Sequence, residues 1–258
     1  MTRLHSSVGC AALAILTASI AAAQTTFPSA RDAAQALVTA VQHNDRRALA
    51  GVLGDPDLIS TGDGSQDETD RRTFVEKYQQ MHRLTREPNG TTVLYVGAEN
   101  WPFPVPILHK DGHWSFDADA GRQEVLMRRI GENEMKATQV CQELVEAEKE
   151  YMATNGHYAR QFVSDSGQHN GLYWNEDHQS LPSPIGPLLA KAGAAHDPTP
   201  FHGYYYRIVS AKGGAVSFVA YPAEYRSSGV MTYFVGLDGV VQQRDLGPRT
   251  ESAVNKAR

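Results

Sequence analysis

The run from Asp119 to Tyr158 constrains this chain most: it is the longest stretch with a single helical period, and the sequence differs in kind on its two sides. Ala137, Val140, Cys141, Leu144, Ala147 and Tyr151 recur at three- and four-residue spacing, which puts them on one stripe of an α-helix. Lys136, Gln142, Glu143, Glu146 and Glu150 fall mostly off that stripe, and the residue types are reasonable helix formers, so pattern and propensity agree. Arg122 to Ile130 carries Val125, Leu126 and Ile130 on a face of its own. Between the two stretches, Gly131 suits a helix end and Asn133 suits a cap, so the sequence predicts a kink or domain boundary near Gly131. Asn155-Gly156 predicts the stop of the second helix. An apolar helix stripe needs a layer to cover it. The expected arrangement is a spine shared by two α+β lobes, residues 24–130 and 131–250, with a tail at 251–258.

The first residues point to a compartment. Arg3 and His5 precede an apolar run from Val8 to Ile20, and Ala21-Ala22-Ala23 offers small residues before Gln24. This is the pattern of a secretory signal peptide cut after Ala23, which predicts a periplasmic or secreted protein with no membrane span after cleavage. Removing residues 1–23 takes away one positive charge, Arg3, so a formal net charge of −5 becomes −6. That balance argues against nucleic acid as a partner, since phosphate binding relies on clustered Lys and Arg. Only Cys141 would remain, on the apolar stripe, so no internal disulfide can form and a buried, inert thiol is expected.

Ahead of the spine, Ser29 can cap a helix from Ala30 to about Asn44, Leu49 to Leu53 continues in a short helix ended by Gly54, and Thr73 to Arg86 reads as a further helix. The period then changes to two. Thr91–Gly97, Pro104–His109 and His113–Asp117 read as strands, the last two joined at Lys110-Asp111-Gly112, with the prolines placing the second at an edge or bulge. Helices followed by an antiparallel meander predict an NTF2-like, cone-like lobe. Trp101, Phe103, Trp114 and Phe116 are expected as core, the acidic stretch from Thr61 to Asp70 as a solvated loop and helix start, and His109 and His113 as flanks of a structural hairpin with no metal.

Behind the spine, Phe162 to Pro187 is rich in turn formers and long for a loop, with Leu172-Tyr173-Trp174 looking like a pinned segment. Ser183-Pro184 can open a helix from Ile185 to Ala192. From Phe201 the signal is β: FHGYYYRIVS, Ala215–Pro222, Val230–Val235 and Val240–Arg244 predict a four-stranded antiparallel meander, the last pair joined by an Asp238-Gly239 hairpin. The apolar stripe of the spine would cover one face of it, as in a pilin-like head. The candidate binding residues lie here. His202, Tyr204, Tyr206 and Arg207 sit on the first strand, where one face must turn away from the core, and Glu224 and Tyr225 occupy the loop before Ser227-Ser228-Gly229. Such a polar-aromatic surface suits recognition of a ligand or partner.

Several segments together resemble a bacterial secreted family catalogued as domain of unknown function 2950: ENWPFPVPILHKDGHWSFDADAG (Glu99 to Gly121), RRIGENE (Arg128 to Glu134), SPIGPL (Ser183 to Leu188), FHGYYYRI (Phe201 to Ile208) and FVAYPAEYRSSGVMTYFVGLDGVVQQRDLGP (Phe218 to Pro248). Two departures show: the linker between FHGYYYRI and FVAYPAEY is short, and Arg226 stands where a small residue is expected. The resemblance implies no established activity and carries over no catalytic residues. A looser, fold-level similarity to pilin-like heads rests on Glu148 to Ala159, without the prepilin N-terminal signature. No G-x-S-x-G elbow, H-E-x-x-H, phosphate-cradling glycine loop, Cys-centred site or cofactor motif is present. The expected function is therefore a non-catalytic binding or envelope-assembly module, acting on an envelope protein or small ligand. The alternative is a small-molecule hydrolase or other enzyme with its site in a lobe pocket or the inter-lobe cleft, where His202 and Glu224 would supply acid–base chemistry.

Overall fold

The computed structural model describes residues 24–61, 64–175, 182–210 and 216–256; the expected signal peptide and the Ala211–Gly214 turn lie outside them. The chain divides into two compact units, Met1–Gly121 and Arg122–Arg258. Both combine helices with antiparallel sheets, so the fold class is α+β. Among the described residues no helix is long and apolar enough to cross a membrane.

In the first unit, α1 (Ala30–Gln42) starts where the Ser29 hydroxyl accepts the Asp32 N–H at 3.1 Å, and it buries Ala33, Ala34, Leu37, Val38, Ala40 and Val41. The Asp45 side chain caps α2 (Arg46–Leu53) by accepting the Ala48 N–H at 2.9 Å, and Gly54 ends it at φ 79°. The next helix, α3 (Gly64–Gln80), begins nine residues earlier than the Thr73 start read from the sequence. The Asp67 carboxylate holds that start, accepting from the Ser60 hydroxyl and from both the N–H and hydroxyl of Thr61.

Residues 82–86, expected to finish that helix, form strand β1 (His82–Arg86) instead, pairing with β2 (Thr92–Val96) from His82↔Val96 to Arg86↔Thr92. HRLTR has one aliphatic residue and no alternation, so nothing local marks it as a strand; the partner backbone does. A two-residue β3 (Trp101–Pro102) also pairs with β2, and β4 (Ile107–Lys110) and β5 (His113–Phe116) complete the order β1-β2-β4-β5. Pro104 and Pro106 have no N–H for a ladder, so β4 starts at Ile107 rather than at Pro104. Phe103 and Phe116 are core, packed edge to face at 6.1 Å, whereas Trp101 is exposed. His109 pairs with Trp114 and His113 with Lys110, so the two histidines do not oppose each other.

The long helix α4 (Ala118–Asn155) passes straight through Gly131, which corrects the expected break. A mid-helix glycine costs only about 1 kcal/mol, and strong helix formers on both sides outweigh it. Asn133 does not cap; its amide Nδ2 donates to the Ser228 carbonyl at 2.9 Å. The stop at Asn155 is as expected, with Gly156 at φ 73° and its N–H donating to Met152 O.

In the second unit, Ala137, Val140, Cys141, Leu144, Ala147 and Tyr151 are all buried, in one core cluster with residues of the C-terminal sheet. That sheet is β6 (Tyr204–Ser210), β7 (Val216–Pro222), β8 (Met231–Gly236) and β9 (Val241–Asp245), antiparallel in that order. Phe162, Leu172 and Trp174, from the segment after α4, fill the same core. The Ser183 hydroxyl pins that segment by accepting the Trp174 N–H and donating to its carbonyl, so it is not free to cap α5 (Pro187–Ala192), which starts two residues later than expected. Residues expected as a tail form α6 (Thr250–Lys256), whose Val254 packs with Val219 and Tyr221 on the other face of the sheet.

A Cβ built on Gly131 meets no atom within 4 Å, so no close approach requires glycine there. Gly131→Ala is expected to raise stability by about 0.5–1 kcal/mol. The readout is a higher urea midpoint at unchanged m-value; a lower midpoint would mean that the glycine is needed.

Candidate functional site

The two-residue period of β6 sorts the predicted residues. Tyr204 and Tyr206 point towards α4 and are buried, at 0% and 1% exposure. Their hydroxyls donate to the carbonyls of Met231 (3.0 Å) and Phe201 (3.4 Å), and burial pushes both phenols well above the ordinary tyrosine range. Arg207, one step out of phase, lies on the opposite face. Its guanidinium sits 5.3 Å from the Tyr221 ring centre and 3.7 Å from the Glu251 carboxylate on α6. The three residues therefore do not share one surface.

His202 adjoins the loop that carries Glu224 and Tyr225 through the backbone, at one end of the sheet. His202 and Gly203 form a left-handed corner, φ 51° and 74°, and the Ala223 N–H donates to the Gly203 carbonyl at 3.0 Å, bringing the next loop alongside. The His202 ring stacks at a tilt on Phe201, 4.1 Å away. Burial and then the Lys136 ammonium hold its pKa below the ordinary value, against Glu132 and Glu143, so the ring is neutral at neutral pH. Among the described residues no hydrogen bond joins the His202 ring to Glu224.

The loop from Ala223 to Val230 is held from several sides. Ser228 Oγ accepts the Glu224 N–H and donates back to the Glu224 carbonyl, and the Arg226 N–H donates to Gly229 O. From α4, Asn133 donates to Ser228 O, and one oxygen of Glu134 accepts the N–H groups of Val230 and Met231 at 2.9 and 3.0 Å. The Tyr225 hydroxyl reaches the Asp245 carboxylate at 3.1 Å. Two glycines allow the closeness. A Cβ on Gly203 would run into the Asn133 amide, and one on Gly229 into the Tyr204 phenol. Arg226 stands at φ 61°, a left-handed conformation that glycine adopts most readily, in keeping with a small residue expected there only if that residue is glycine.

Glu224 and Arg226 nevertheless remain exposed, with the Arg226 guanidinium 5.4 Å from the Tyr225 ring centre. The rim thus offers a carboxylate, a guanidinium set over an aromatic ring and a neutral imidazole, a set suited to ion-pair and hydrogen-bond recognition. No local motif in the sequence marks Asn133, Glu134 or Ser228 as site residues. The glycines beside them, Gly203 and Gly229, were the available signal.

Two shallow grooves lie elsewhere. One of about 770 Å³, between α1 and α2, is lined by Phe27, Asp32, Ala36, Thr39, His43 and Arg47 among others. Another of about 850 Å³ runs along α4 past Glu143, Glu146, Glu150, Pro184 and Asp238. Neither includes any of the six predicted residues.

Removing a carboxylate that accepts two backbone N–H groups strands both donors. Glu134→Ala is expected to lower stability by about 2 kcal/mol. Glu132→Ala, which breaks only a solvent-exposed pair with Lys136 (2.6 Å), should change it by less than about 0.5 kcal/mol. Urea unfolding of both variants gives the comparison, and equal effects would make Glu134 one more surface charge.

No curated protein and no solved structure matches the chain. One family model does match, over residues 24–258, which is nearly the whole chain, so the chain belongs to the family described as protein of unknown function, DUF2950.

Proposed function

We propose that this is an exported, non-catalytic binding or envelope-assembly module, and that the loop rim of its C-terminal unit is the recognition surface for an envelope protein. One observation carries the proposal. Glu224 and Arg226 are exposed, yet the loop that bears them is fastened from beneath by Asn133, Glu134 and Ser228, with Arg226 in a strained left-handed conformation. A surface loop with no ligand to meet gains little from such rigidity. A recognition loop gains affinity from it, because less conformational freedom is lost on binding.

Export rests on the leader-like residues 1–23 and is supported from the other side of the expected cut. The family match starts at Gln24, and the Gln24 side-chain amide is tied down, donating to the carbonyls of Phe116 at 2.7 Å and Val52 at 3.1 Å. The α4-on-meander layout is in keeping with a pilin-like head for the second unit, and three helices ahead of a five-stranded sheet with a cone-like, NTF2-like first unit.

The test is site-specific photo-crosslinking from position 227 in the native envelope, followed by binding of the captured protein to the purified chain. Glu224→Ala with Arg226→Ala should weaken that binding at least about tenfold while thermal unfolding stays within a few degrees of the parent. Unchanged affinity in the double variant would remove the rim from consideration.

A further inference from the structure

The apolar stripe of α4 is interrupted once. Glu148 lies between Leu144 and Tyr151 on the buried side of the helix and is 0% exposed. One carboxyl oxygen, Oε1, accepts the Ala159 N–H at 2.6 Å, while Oε2 is equally buried and has no hydrogen-bond partner among the described residues. An ionised carboxylate in such a place has exchanged a full hydration shell for a single donor, which strongly favours the neutral form. Burial accordingly pushes the Glu148 pKa up to about 7, against the smaller opposing pulls of the Ala159 N–H and the Arg160 guanidinium.

The groups facing this carboxyl come from two elements. Tyr151, on α4 itself, feels the Glu148 charge and donates its hydroxyl to the His169 carbonyl at 2.8 Å. From the returning chain come the Ala159 N–H and Arg160, with the His157 ring edge-on to Tyr151 at 5.7 Å and His169 stacked on Trp174 at 4.4 Å. Glu148 is thus the polar tie between the last turns of the helix and the segment 156–175, which brings Phe162, Leu172 and Trp174 back into the core.

We propose that Glu148 is a proton-binding site that closes segment 156–175 onto α4: with the proton bound the segment lies shut, and loss of the proton loosens it. The neutral carboxyl keeps Ala159 as donor and carries no charge to hydrate. The ionised carboxylate regains hydration only when the segment lifts and admits water. The direction of the pH effect follows from the folded pKa lying above the ordinary unfolded value of about 4.5. The stabilisation is complete below about pH 4.5 and is lost as pH rises to about 7.

The experiment compares the full chain with Glu148→Gln, which keeps the shape and the Oε1 acceptor but cannot ionise. Across the window from about pH 4.5 to 7, the folding constant of the parent should fall relative to the variant by up to about tenfold per pH unit, then level off. A purely structural role would shift the two pH profiles by a constant, and parallel profiles would overturn the proposal. Carboxyl carbon NMR of the unaltered protein decides independently of whether the variant folds. A Glu148 midpoint above pH 6 supports the site, and one below pH 5 ends it. Arg160→Gln, by removing the nearby cation, should move that midpoint upwards.

Discussion

The second unit depends on the burial of one helical stripe against one face of a sheet. Ala137, Val140, Cys141, Leu144, Ala147 and Tyr151 meet Tyr204, Tyr206, Phe218, Ala220, Tyr233 and Val235 in a single core. Each large side chain taken from water contributes roughly 1.5–3 kcal/mol, so a few of them match the whole net stability of a domain, about 5–15 kcal/mol. Among the described residues there is no disulfide to help, since Cys141 is a free, buried thiol whose pKa burial pushes up to about 12. This burial also fixes register. Side chains alternate along a strand, so once Tyr204 and Tyr206 face the helix, Tyr205 and Arg207 must face away, and a one-residue slip would reverse all four. The stripe therefore decides which residues of β6 are left for any partner.

The same helix also shapes the candidate site, one turn before the stripe begins. Asn133 and Glu134 use their side chains on the Ser228 carbonyl and on the Val230 and Met231 N–H groups, while Tyr204, planted in the core, sends its hydroxyl to Met231 O beneath the same loop. Core and loop are thus set by adjacent positions on shared elements, and loosening one disturbs the other. That coupling fastens an irregular loop that carries a strained Arg226.

What was legible in the sequence follows from this division. Ser29, Gly156 and the Asp238-Gly239 hairpin were readable because capping, left-handed stops and tight turns depend on the residue in place. The four C-terminal strands were readable because their alternation is long. The β1 strand was not, because HRLTR becomes a strand only through pairing with β2. Nor was α6, where a single buried apolar residue, Val254, is held by a sheet face made of Val219 and Tyr221. The rim joins positions 133–134 to 224–231, and no local rule links residues so far apart. His202, Glu224 and Tyr225 were named as candidates, but the α4 contacts that hold their surroundings in place appear only in the folded chain.

Two glutamates on α4 show why residue type alone could not assign roles. Glu134 is partly exposed and accepts two backbone N–H groups, so its charge is compensated and helps hold the loop. Glu148 is fully buried with one donor and one oxygen unpartnered, so its charge opposes the fold that its neutral form permits. In an interior of low polarity, a second or third donor decides whether a carboxylate strengthens its surroundings or strains them. Glu148 lies between Leu144 and Tyr151 at helical spacing, a position the apolar pattern of the sequence does not single out. The number of donors that would meet it there is set by the path of the chain through Ala159, and that path exists only after residues 156–175 have folded back along the helix.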